Sequence, residues 1–158
     1  MANLRDRANA LFQTACTAAD PGIALSRALT ETPLPRPDTG GAYRIVSIGK
    51  AAVPMAEAMI AKVQGQEFSA LVVTNYENAR DVAGAVVMAS GHPVPDENGA
   101  KAALAVEAML ADTTSADRVI ALISGGGSAL LPAPVKFVLV AHANTIRSTA
   151  TAPKRTKR

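Results

Sequence analysis

The 158-residue sequence has no tryptophan, two tyrosines and three phenylalanines. Its core must therefore be built from small and branched side chains, mostly Ala, Val, Leu and Ile, as in layered helix-on-sheet proteins. A single cysteine, Cys16, excludes a disulfide framework and suits a reducing cytoplasm. It lies in a helical pattern and is expected to be a buried structural thiol. The N-terminus has no long apolar run and carries Arg5, Asp6 and Arg7, which excludes a secretion signal or a spanning helix there. A soluble protein is expected.

Acidic residues are absent from the last 27 positions. Residues 1–131 hold ten Lys/Arg and thirteen Asp/Glu, a net of −3, whereas residues 132–158 hold six Lys/Arg and no acid. The pI near 9.3 thus comes from the tail alone. A basic tail suggests nucleic acid or an acidic membrane surface. This one has no aromatic interleaving for base stacking, and its charges gather in "KRTKR", so neither partner is expected.

What is present is an alternation of helical and strand patterns with no internal repeat. Leu4, Ala8, Leu11, Phe12, Ala15 and Ala19 recur at helical spacing, and Asp20-Pro21 ends that helix and caps the next, "PGIALSRALTE". The proline- and glycine-rich "TPLPRPDTGG" is a connector. Strands are expected at "YRIVSIG" (43–49), "ALVVTN" (70–75), "AGAVVMA" (83–89) and "RVIALIS" (118–124). Helices are expected from Lys50, with Pro54 in the first turn, and from Asp96 as cap, with another beginning at "GSALL". Continuously apolar strands alternating with helices predict an α/β fold with a mainly parallel sheet covered on both faces.

Two strand-to-helix junctions, "SIGKAA" and "ISGGGSALL", are the candidate site. In an open parallel sheet, ligands bind beyond the carboxyl ends of the strands, where helix N-termini offer free N–H groups. Gly49, Gly125, Gly126 and Gly127 let the backbone approach an anion, and the hydroxyls of Ser124 and Ser128 add donors. Lys50 is the only cation between residues 45 and 61 and can neutralise a transferring phosphoryl group. His92, in "SGHPVPDENG", can donate to an anion at the same edge or serve as a structural histidine. A Walker loop is excluded by Arg44 and Ala51, and a dinucleotide G-x-G-x-x-G is missing from both junctions. Leu130 stands where a nucleophile elbow needs glycine. No Cys/His/Asp cluster has metal-ligand spacing, so any metal would arrive with a nucleotide.

Together, "IVSIGKAAVPMAEAM", "SGHPVPDENG" and "ALISGGGSALLPAP" resemble the glycerate 2-kinase family, whose members are often labelled hydroxypyruvate reductase and carry a C-terminal MOFRL domain. The resemblance covers about residues 1–135. It implies a Rossmann-like three-layer α/β/α domain, here incomplete, with the active site in a cleft against a second domain. It also implies transfer of the γ-phosphoryl group of ATP, with Mg2+, to the 2-hydroxyl of D-glycerate. Lys50 corresponds to the lysine of the family's Gly-Lys-Ala motif, and Ser124 to Ser128 correspond to its glycine loop. His92 and Pro93 match a stretch near the cleft. A homodimer is compatible with the resemblance. Beyond Pro134 the family pattern stops, so a basic, disordered or aberrant 136–158 tail and a truncated or frame-shifted product of weak activity are the expectation. Two other readings stand beside it: an NAD(P)H-dependent hydroxypyruvate reductase and a non-catalytic anion-binding module.

Overall fold

The computed structural model describes residues 3–133; the basic stretch 136–158 lies outside them. The chain opens with two helices. α1 (Leu4–Ala18) starts at a capping box, in which the Asn3 side chain accepts from the Asp6 N–H and the Asp6 carboxylate accepts from the Asn3 N–H. α2 (Pro21–Glu31) starts with proline at its first position and the Asp20 carboxylate accepting from the Ile23 N–H at 2.9 Å.

Four strands follow, β1 (Tyr43–Ile48), β2 (Phe68–Asn75), β3 (Val86–Ser90) and β4 (Arg118–Ile123). All pairings are parallel, in the order β3-β2-β1-β4. α3 (Ala52–Lys62) connects β1 to β2, and α4 (Glu97–Ala111) connects β3 to β4. A short α5 (Gly127–Leu130) follows β4. This is the expected α/β fold. The differences are local: β2 begins two residues before its expected start, and Tyr76–Asn78 forms a one-turn 3-10 helix that the periodicity did not announce.

The alternation of side chains along β1 divides the core. Tyr43 and Ile45 face Leu29 of α2 and Met59 of α3, whereas Val46 packs with Ala102 and Val106 of α4 and with Leu130. β1 is an inner strand buried on both faces from Ile45 to Ser47, which explains why apolar residues occupy both faces of it. β4 is one of the two edge strands and is only half covered. Leu122 joins the α3 side of the core, but Val119 and Ile123 are 51% and 69% exposed on the α4 side. Nothing among the described residues covers that face, so the expected two-sided covering fails at β4.

The β1–β4 register is set at the strand starts. The Asp117 carboxylate accepts from the Ala42 N–H at 2.7 Å and from the Thr114 N–H at 2.8 Å, while the Arg118 N–H donates to the Ala42 carbonyl. Arg44 adds an ion pair at 3.6 Å. These bonds pair Tyr43 with Arg118 and, at the far end, Ile48 with Ile123. Both following turns therefore emerge at the same height.

The expectation for Cys16 is corrected: it is exposed. α1 has no buried residue, and Leu11 and Phe12 are 72% and 65% exposed. Its apolar stripe is real, but no described element packs over it, so the thiol on that helix has no core to enter.

Two expected outcomes follow. Ile45→Ala should cost about 2–5 kcal/mol in urea unfolding, whereas Phe12→Ala should change stability by no more than about 0.5 kcal/mol. The backbone N–H groups of Thr114 and Ala42 hold the Asp117 carboxyl below its ordinary value, with Arg44 adding a smaller pull. A depressed carboxyl stabilises the fold above the unfolded value near pH 4 and loses that contribution as the pH falls through its folded value. Asp117→Asn should lower the urea midpoint at pH 7 and converge on the wild type as the pH falls below the depressed folded value of the carboxyl.

Candidate functional site

The junctions after β1 and β4 meet at the carboxyl edge of the sheet. The Ser124 N–H donates to the Ile48 carbonyl at 2.8 Å, and the Lys50 N–H donates to the Gly125 carbonyl at 2.9 Å. The strand pairing thus continues one step into both turns. The Ser124 hydroxyl completes the join, accepting from the Ala51 N–H at 3.0 Å and donating to the Ile48 carbonyl at 3.3 Å. Sequence reading offered this hydroxyl as a ligand donor; the fold engages it in holding the two turns together.

Only glycine suits position 49. Its φ is +119°, and a Cβ there would overlap the Ser124 hydroxyl and stand 2.6 Å from the Ser124 carbonyl oxygen. Gly126 has φ +94°, and a Cβ there would stand 2.9 Å from His92 Cδ2 and 3.5 Å from Lys50 Cγ. The glycine loop therefore lies between the His92 ring and the Lys50 stem. Lys50 is exposed, His92 half-buried, and Ser128 exposed in the first turn of α5.

The N–H groups of Gly125, Gly126, Gly127 and Ser128 find no acceptor among the described residues, while their neighbours Lys50 and Ser124 are both bonded. Four consecutive free donors beside a lysine suit an anion with several oxygens. A phosphate fits this donor set. No three His, Cys, Asp or Glu side chains gather as a metal site among the described residues.

A polar network at the same edge was not foreseen. Asn75, at the end of β2, is 7% exposed, and its Nδ2 donates to Glu77. Asn78 Nδ2 donates to the Lys50 carbonyl at 2.9 Å and to Asn75 Oδ1 at 2.8 Å. The Tyr76 hydroxyl donates to the Asp96 carboxylate and accepts from Asn98 Nδ2 at 2.8 Å. Burial alone would raise the Asp96 carboxyl, but the Tyr76 hydroxyl and the backbone N–H groups of Gly99, Gly91 and Asn98 hold it below its ordinary value. Asp96 is thus both the cap of α4, as expected, and the tie that closes the loop carrying His92. The sequence signal was the density of Asn, Glu and Tyr in "TNYEN" directly after a strand.

No helix among the described residues is long and apolar enough to cross a membrane.

Comparison with known proteins gives a consistent result. Residues 7–151 match a family model described as "Domain of unknown function (DUF4147)". The chain is 39% identical over 124 residues to a "Putative hydroxypyruvate reductase" of Agrobacterium vitis, covering 78% of this chain and 27% of that protein. It is 35% identical over 95 residues to the D-glycerate 2-kinase of Thermotoga maritima, covering 60% of this chain and 23% of that protein. The crystal structure of a glycerate kinase from the same organism superposes with a TM-score of 0.73 at 29% identity, covering 85% of this chain and 31% of that one. The chain therefore spans about a third or less of the length of these relatives.

The two glycines of the joined turns should differ sharply. Gly49→Ala should destabilise the fold by roughly 1–3 kcal/mol or more, because it combines a strained φ with overlap on Ser124. Gly125→Ala, with nothing within 4 Å of the added carbon, should stay within about 0.5 kcal/mol of wild type in urea unfolding.

Proposed function

The chain belongs to the DUF4147 family, and from that premise we propose that it supplies the phosphate-holding wall of an ATP-dependent glycerate 2-kinase, forming 2-phosphoglycerate from D-glycerate. The observation that carries this reading is the row of free N–H groups at Gly125 to Ser128 with Lys50 bonded beside it. In this reading residues 1–135 act as one unit, and the rest of the cleft is supplied from outside the described residues.

The chemistry asked of these residues is electrostatic. Phosphoryl transfer spreads charge over the equatorial oxygens, so catalysis consists largely of holding them and matching that charge. Lys50 places its ammonium against the phosphate oxygens, and the N–H groups of Gly125, Gly126 and Gly127 donate to them from the opposite side. The Ser128 N–H or hydroxyl extends that row, and Gly49 keeps the lysine turn close enough to share the same oxygens. Ser124 acts through the join it makes between the turns, and His92 borders the glycine loop. Magnesium would be carried on the nucleotide, since the described residues assemble no carboxylate cage for it. The carboxylates of Glu77 and Asp96 are engaged by Asn75 and Tyr76, which leaves deprotonation of the glycerate hydroxyl to a group elsewhere.

Titration of the 15N-labelled chain with ADP tests the reading. ADP should perturb the amides of Lys50 and Gly125 to Ser128, and Lys50→Ala should weaken binding by about tenfold to a hundredfold, as expected for a lost charge-assisted bond. Turnover of D-glycerate and ATP by the 158-residue chain should be weak or absent, because in-line transfer needs both substrates positioned. ADP binding untouched by Lys50→Ala would overturn the reading. Oxidation of NADH by hydroxypyruvate, without ADP binding, would replace it with the reductase.

A further inference from the structure

Lys50 projects from an exposed turn on a flexible four-carbon stem, so the position of its ammonium depends on how firmly its backbone is held. Both backbone groups of this residue are bonded. Its N–H donates to the Gly125 carbonyl at 2.9 Å, and its carbonyl accepts from Asn78 Nδ2 at 2.9 Å. The first bond ties the lysine turn to the glycine loop. The second reaches across from the turn after β2, 28 residues away in sequence.

We propose that Asn78 is a positioning residue that sets Lys50 over the glycine loop by fixing its carbonyl. The Asn78 amide is suited to this because it is itself anchored: Nδ2 also donates to Asn75 Oδ1, and Asn75 is buried at the end of β2. Thr74 Oγ1 and Glu77 complete the surroundings of the Asn75 amide. Rigidity passes from the β2 end through two amides to the lysine turn. Asn78 is exposed and belongs to none of the apolar clusters, so a packing role does not account for its placement. An amide suits the position: it donates to two acceptors while bringing no charge to the anion site. The functional consequence rests on the phosphate-holding reading above; the positioning itself does not.

Two variants test it. Asn78→Leu keeps the size and branching but removes the donor, and Asn78→Ala removes the side chain. Both should speed hydrogen exchange at the Lys50 amide by about fivefold and weaken ADP binding by about threefold to tenfold, the effect of one lost hydrogen bond. The urea midpoint should barely move. In a Lys50→Ala background the same substitutions should have no further effect on ADP affinity, which a general structural role would not produce. Unchanged exchange at Lys50 would overturn the proposal, as would an equal loss of ADP affinity with and without Lys50. If wild type fails to bind ADP, the phosphate-holding reading falls, and the Lys50 exchange rate alone decides whether Asn78 positions it.

Discussion

The close approach of two backbone turns, Gly49-Lys50 and Ser124-Gly125, is the constraint on which the site depends. Hydrogen-bonded contact between turns is harder to arrange than contact between strands, because side chains usually intervene. Here the intervening atom is missing at Gly49, and the Ser124 hydroxyl occupies the space a Cβ would take. That hydroxyl then accepts from the Ala51 N–H, which has no other acceptor among the described residues, and adds a second donor to the Ile48 carbonyl. The site is thus a continuation of the sheet, and its dimensions follow from the β1–β4 register.

The same logic organises the periphery. Asp117 fixes the register at the strand starts, and Asn78 and Asp96 tie down the turns at the strand ends. Asp117 and Asn78 do so through side-chain atoms bonded to backbone groups of another segment, and Asp96 through the Tyr76 hydroxyl while capping its own helix. None of these is an apolar contact. The hydrophobic core decides that α3 and α4 lie on opposite faces, and polar side chains decide where the loops lie relative to one another. Local placement at the edge therefore relies on directional bonds, as an anion site requires.

Much of the fold was legible because its signals are local. Apolar runs marked all four strands to within a few residues, and Asp20 and Asp96 announced their helices by capping chemistry. The two glycine-bearing junctions could be assigned to one edge because parallel strands put every βα turn on the same side. What escaped were facts about pairs distant in sequence. Helical spacing in α1 showed an apolar stripe but could not say what covers it, so Cys16 was expected inside and lies outside. A serine beside three glycines was read as a ligand donor, although its partners, Ile48 and Ala51, lie more than 70 residues away. Asn78 gave a compositional hint without a partner, since nothing in "TNYEN" points to Lys50.

The pairing of β1 with both β2 and β4 also bears on the order in which the molecule acquires its parts. β1 can pair with β2 across a single helix, but it meets β4 only after β3 and α4 have been made. Long-range pairings of this kind pay their chain-closure entropy late. On a ribosome, the Lys50 turn and the loop of His92 emerge well before the glycines that face them, so the growing chain holds one side of this edge for some time without the other. The joined turns exist only once β4 has closed onto β1, so the strand made last among the described four completes the edge.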